Sequence, residues 1–271
     1  MCPLRTVFLL LTLLAASGAS AHPGHDERLA LLQARIAQSP DDPGLYLQRG
    51  DLYLEAGLLE QARADFQRAA ELGVAAQFLA LHRARLRYRA NDLDGAKAQA
   101  DLYLEAFPDA AEGYELRARI SIQRGQYAVA ARDLQQHLAL LPSPAPGNYQ
   151  LAAQTLAQLE RNTEALQVLD QGIAKLGQVP SLQQAAIALE MKLGHTDRAL
   201  MRMQSLREPL ADSVAWKLDM AELLIKTGHN DQAQDLLLAA QQQLAGLRET
   251  PARALERARA RDLQRQLPGK D

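Results

Sequence analysis

Small and apolar residues return along this chain at a nearly fixed interval. Alanine stands at positions 62, 96, 130, 165, 199 and 233, in steps of 34, 34, 35, 34 and 34. Four residues after each alanine, one helical turn on, comes Phe66, Ala100, Leu134, Leu169, Met203 or Leu237. Five residues before it sits Gly57, Asn91, Gly125, Glu160, Gly194 or Gly228. Four of these are glycine and one is asparagine, the residues that best tolerate the left-handed backbone ending a helix. Twelve residues before it lies Gly50, Ala84, Ala118, Ala153, Ile187 or Ala221, five of the six being small. The pattern predicts a helix, a tight turn and a second helix in each unit. The alanine brings the second helix close to the first, and the residue one turn later fills the seam. A pair of this size cannot bury its apolar face alone, so the units must stack.

Both ends read as partial units. Asp26–Ser39 predicts a helix with Leu29, Leu32 and Ile36 on one side, followed by Pro40. Thr250-Pro251 opens a last helix, and Ala252–Gln266 is rich in alanine and arginine, polar enough to cap a stack. The sum is fourteen helices: one before the repeats, twelve within them and one after. Residues 143–147 (SPAPG) form the one pronounced breaker cluster, either a hinge between the third and fourth units or a longer turn in a continuous stack. The hexapeptide DLYLEA occurs at Asp51–Ala56 and again at Asp101–Ala106, out of phase with the repeat. One copy falls in a first helix and the other in a second helix, so the identity is a coincidence.

These units resemble tetratricopeptide repeats. The first carries Tyr46, Gly50, Tyr53, Gly57, Ala62, Phe66 and Ala69 where that family places its signature residues, and the second and third end in Pro108 and Pro142. The resemblance spans residues 42–244 as six repeats, with a histidine-containing tail and flanking helix at 22–41 and a capping helix and tail at 245–271. It implies an all-α, right-handed superhelical solenoid of antiparallel helix pairs, whose concave surface is lined by the first helix of each repeat and receives peptides or partner helices. Carried onto this chain, the groove candidates are Asp51, Phe78, Leu81, Arg85, Tyr88, Arg89, Glu115 and Arg119. Arginine suits carboxylate recognition because its planar fork pairs bidentately. Some relatives grip a terminal carboxylate with lysine and asparagine, but Leu47 and Asp51 hold those places here, so that clamp is absent. Two internal pairings compete with a binding role: Glu115 with Arg119, four residues apart, and Asp51 with Arg85.

The first residues read as an address. Val7–Ala16 is an apolar run of ten, and Ala19-Ser20-Ala21 offers a small-residue cleavage site after Ala19 or Ala21. Residues 1–21 therefore read as a cleavable signal peptide, too short to span a bilayer, and the periplasm is the expected compartment. The only cysteine, Cys2, leaves with the leader, so no disulfide or thiol nucleophile is expected. The net charge of -2 disfavours a dedicated nucleic-acid binder, and no integral membrane segment is expected.

No catalytic motif or paired metal-ligand spacing appears, so a non-enzymatic protein without a cofactor is expected. His195 and His229 follow equivalent turn glycines, and their spacing comes from the repeat. His137 falls at a packing position. His22 and His25, with a free amine at His22 after cleavage, could hold copper or zinc weakly. The expected function is an exported interaction scaffold that binds a peptide or protein in its groove, with the oligomeric state open. Two alternatives are a structural subunit of an envelope assembly or export machine that uses its outer face, and metal binding through the histidine tail.

Overall fold

The computed structural model describes residues 23–177, 179–206 and 210–268, and within them the chain forms α-helices without strands. In order these are α1 (Pro23–Gln38), α2 (Pro43–Glu55), α3 (Leu59–Glu71), α4 (Ala76–Arg89), α5 (Leu93–Ala106), α6 (Ala111–Gln123) and α7 (Tyr127–Leu140). They continue as α8 (Pro146–Gln158), α9 (Asn162–Leu176), α10 (Pro180–Lys192), α11 (Thr196–Ser205), α12 (Val214–Lys226), α13 (Asn230–Ala245) and α14 (Pro251–Gln266). The fourteen described helices match the expected number. The chain divides into two compact units, one running to Gln99 and one beginning at Ala100.

The turn inside each repeat has the same construction six times. Gly57, Asn91, Gly125, Glu160, Gly194 and Gly228 all take positive φ, between 59° and 79°. The next residue donates its amide to a carbonyl five positions back, as in Leu58 to Tyr53 (2.8 Å), Gln126 to Ser121 (2.8 Å) and His229 to Leu224 (2.8 Å). The turn residue itself donates to the carbonyl three back, as in Gly57 to Leu54. This double closure satisfies carbonyls that a helix end would otherwise orphan.

The six periodic alanines are all fully buried, at 0 % exposure. In the first unit, Leu32 of α1 packs with Leu45 and Leu52 of α2, and Phe66 of α3 packs with Leu54, Ala62 and Leu86. A Cβ on Gly50 would stand 2.4 Å from Phe66 Cε1, so glycine there permits the close approach of α2 and α3. In the second unit, one core gathers α6 to α10 around Leu134, Tyr149, Leu156, Leu169 and Leu182. A second gathers α10 to α14 around Leu206, Leu218, Leu224 and Leu237, with Leu263 of α14 closing it.

Three boundary details refine the sequence reading. Helix α1 begins at Pro23 and not at Asp26, which takes His25 into its first turn. Thr250 caps α14 as expected, its hydroxyl accepting the Arg253 amide at 3.3 Å. Of the breaker segment 143–147, residues 143–145 fall in the short connection between α7 and α8 while Pro146 and Gly147 open α8, and the two flanking helices share one core. Across it His137 Nε2 accepts from Asn148 Nδ2 at 2.9 Å, while His137 Nδ1 donates to the Ala111 carbonyl at 2.9 Å. Both ring nitrogens are thereby committed, as a packing histidine requires.

Candidate functional site

Six of the expected groove residues lie in the first unit, on α2 and α4. Asp51 of α2 accepts a hydrogen bond from His82 Nδ1 of α4 at 2.9 Å. The expected Asp51–Arg85 pairing is therefore replaced by Asp51–His82, and the His82 ring also rests against Phe66 with centroids 5.3 Å apart. Along α4, Phe78 is 54 % exposed, Arg85 and Tyr88 are half-buried, and Arg89 is exposed. Leu81 turns inward and joins the core at 8 % exposure, so it offers little to a partner. Helix α4 carries arginine at 83, 85, 87 and 89 and no acidic residue. Among the described residues, Arg87 is the one of these four that pairs with a carboxylate, Asp92, at 2.6 Å. For Arg85 and Arg89 the structure gives no carboxylate partner among the described residues.

The other two expected residues, Glu115 and Arg119, lie on α6 in the second unit and pair with each other. Arg119 places Nε at 2.9 Å and Nη2 at 2.7 Å from the same Glu115 oxygen. Local pairing thus consumes the charge that the sequence offered to a partner.

A more deeply held set of charges escaped the sequence reading. Arg49 of α2 grips Asp65 of α3 through Nε (2.8 Å) and Nη2 (2.6 Å). Arg117 of α6 grips Asp133 of α7 in the same way, at 2.8 and 2.7 Å, and also reaches Asp101 at 3.0 Å. Both carboxylates are nearly buried, and the ion pairs raise the Arg117 guanidinium above its already high ordinary value. Arg49, Arg83 and Arg117 recur at intervals of 34, a signal present in the sequence. In the middle repeat Gln99 replaces the aspartate, and its buried Oε1 has no hydrogen-bond partner. These pairs tie the first helix of a repeat to its second; they are internal fastenings.

The second unit holds two further polar clusters. Glu190 of α10 is 1 % exposed and accepts from His195 Nδ1 (2.8 Å) and from Arg202 (3.3 Å). At its far end, Glu222 of α12 accepts from Lys226 (2.7 Å) and from Arg259 of α14 (2.7 Å), which hold its carboxyl below the usual range. Ile187, Met191, Met203 and these charges line a cleft of about 480 Å³. His229 Nδ1 meets Thr227 Oγ1 at 3.0 Å, but that hydroxyl is committed to the Leu223 carbonyl, which is unlike an activated nucleophile.

Of the histidine tail, His22 lies outside the described residues. His25 Nε2 donates to the Leu52 carbonyl at 3.0 Å, and its Nδ1 is 3.9 Å from Asp26. Among the described residues no group of three potential ligands is placed to hold a metal ion, and no helix is long and apolar enough to cross a membrane. The leader at residues 1–21 also lies outside the described residues.

No family model matches the sequence, and no curated relative matches it. Solved structures do match the fold. The C-terminal part of a TPR repeat-containing protein from Cytophaga hutchinsonii superposes with a TM-score of 0.67 at 11% identity, covering 86% of this chain and 94% of its own. PilF of Pseudomonas aeruginosa gives 0.56 at 15% identity, covering 73% and 90%. YrrB, described as a TPR protein with an unusual peptide-binding site, gives 0.53 at 18% identity, covering 71% and 97%. With the six buried alanines and six left-handed turns, these likenesses make the chain an all-α helical-repeat solenoid with the tetratricopeptide-repeat fold.

Proposed function

We propose that this protein is an exported, non-catalytic scaffold that holds a peptide or protein partner on the face made by the first helices of its repeats. The observation that carries this reading is the α4 surface. Its exposed Phe78 and its arginines 85 and 89, which lack carboxylate partners among the described residues, stand apart from most other described arginines, which are ion-paired within the protein. Exposed apolar area beside uncompensated charge has the composition of a binding surface, with arginine and aromatic anchors. The unusual peptide-binding site of YrrB supports the class of partner. Export rests on the layout of residues 1–21.

The test is a cross-linked pull-down from the envelope fraction with wild-type protein and an Arg85→Glu, Arg89→Glu variant. Arg119 is a poor choice for this purpose because Glu115 already neutralises it. A partner captured by the wild type and lost by the variant is the expected result. Equal capture by both moves the function to the outer face, as an assembly subunit would require.

A further inference from the structure

Helix α1 lies outside the repeats, yet it adds a wall beside α2. Its Arg28, Leu31 and Arg35 share one side of the helix and, with Asp51 and Glu55 of α2, line a cleft of about 350 Å³. Clefts of roughly 300 Å³ and upward accommodate small ligands, so this one has room for a large apolar side chain. Leu32 and Leu52 at its base are buried, while Leu31 stands 61 % exposed at its edge. The Asp51–His82 bond brings α4 to the edge of this cleft, and Phe78, Arg85 and Arg89 lie on the side of α4 that carries His82, at helical spacings of four, seven and eleven from Phe78.

The charges on that surface do not cancel. Asp51 is occupied by His82, and Glu55 lies 3.6 Å from Arg28. Arg35, Arg85 and Arg89 have no carboxylate partner among the described residues. A basic segment laid here would meet three uncompensated cations. An uncharged one would desolvate guanidinium groups without pairing them, which is costly.

We propose that α1, α2 and α4 form a receptor for an acidic segment bearing a large apolar side chain. The apolar side chain enters the α1–α2 cleft beside Leu31, and the segment's carboxylates pair with Arg35, Arg85 and Arg89. This rests on the scaffold reading and adds the chemistry of the partner.

Fluorescence anisotropy with three labelled peptides tests it: one alternating glutamate and leucine, one with lysine for glutamate, and one with serine for leucine. The glutamate–leucine peptide binds, and the other two bind at least about tenfold more weakly. Leu31→Ser and Arg35→Glu each weaken binding about fivefold, added salt weakens it further, and Arg132→Glu, exposed on α7, leaves it unchanged. Both α1 positions are exposed, so the variants keep the wild-type helical circular dichroism. Equal binding of the lysine–leucine peptide, or indifference to both α1 variants, overturns the proposal. The α1 variants leave α4 untouched. A cellular partner captured equally by wild type and the double α1 variant therefore removes this proposal and keeps the scaffold.

Discussion

Gly50 and Glu160 show how strictly single positions are set. Gly50 faces Phe66, which is 1 % exposed and has no room to swing aside. Gly50→Ala is expected to destabilise the protein by about 1–3 kcal/mol, the usual cost of overpacking, measured as a fall in urea midpoint. Phe66→Leu in the same background should recover part of the loss. Glu160 carries φ 59° in the one repeat that lacks glycine or asparagine at the turn. A side chain there costs about 1–2 kcal/mol, partly offset by the greater freedom glycine has when unfolded. Glu160→Gly should therefore stabilise by about 0.5–1 kcal/mol in the same urea titration. Asn91→Gly should gain less, because asparagine tolerates this conformation.

At the scale of elements, the repeated hexapeptide is the clearest case. Leu52 of α2 is 2 % exposed, whereas Leu102, its counterpart in α5, is 37 % exposed. Asp51 bonds to a histidine, and Asp101 to an arginine. Identical letters reach different environments because one copy is a first helix and the other a second. Where α14 docks on α12, Arg259 pairs with Asp219 and Glu222, and Lys226 and then Arg259 hold the Glu222 carboxyl below its ordinary range. A carboxyl lowered on folding stabilises the native state only while it is ionised. Its contribution is full above about pH 4.3, the ordinary glutamate value, and is lost as pH falls through the lower folded value. Thermal midpoints measured from about pH 7 down to about pH 3 should fall less steeply in Glu222→Gln than in the wild type.

Over the whole molecule, stability accrues repeat by repeat and thins toward a capped end. Helix α12 buries seven residues, including Trp216, whose indole N–H donates to the Met203 carbonyl at 3.2 Å. Helix α14 buries two, Ala260 and Leu263. Amide hydrogen exchange should show α14 opening at least about tenfold more often than α12, since local opening follows the apolar contacts that must break. Uniform protection across both helices would contradict this graded picture.

The sequence alone determined the repeat length, the number of described helices and the place of the left-handed turn inside each repeat, though not the positive φ of Gly73 and Gly177 between repeats. Those features depend on local sterics: small residues where helices touch and permissive residues where φ must be positive. The resemblance to tetratricopeptide repeats also nominated Arg85 and Arg89, by their places on the first helix of the second repeat. Only the tertiary structure decided which charges stay uncompensated. Arg119 takes the local pairing with Glu115 that its spacing allowed, Asp51 turns to His82 from another helix, and Leu81 enters the core. The Arg49–Asp65 and Arg117–Asp133 fastenings recur in register, but arginines at an interval of 34 do not reveal whether they face solvent or the neighbouring helix. The contribution of α1 was hidden for the same reason. A periodic pattern fixes which faces are apolar, whereas partner choice among long charged side chains is settled by distances that appear only once helices far apart in sequence are packed together.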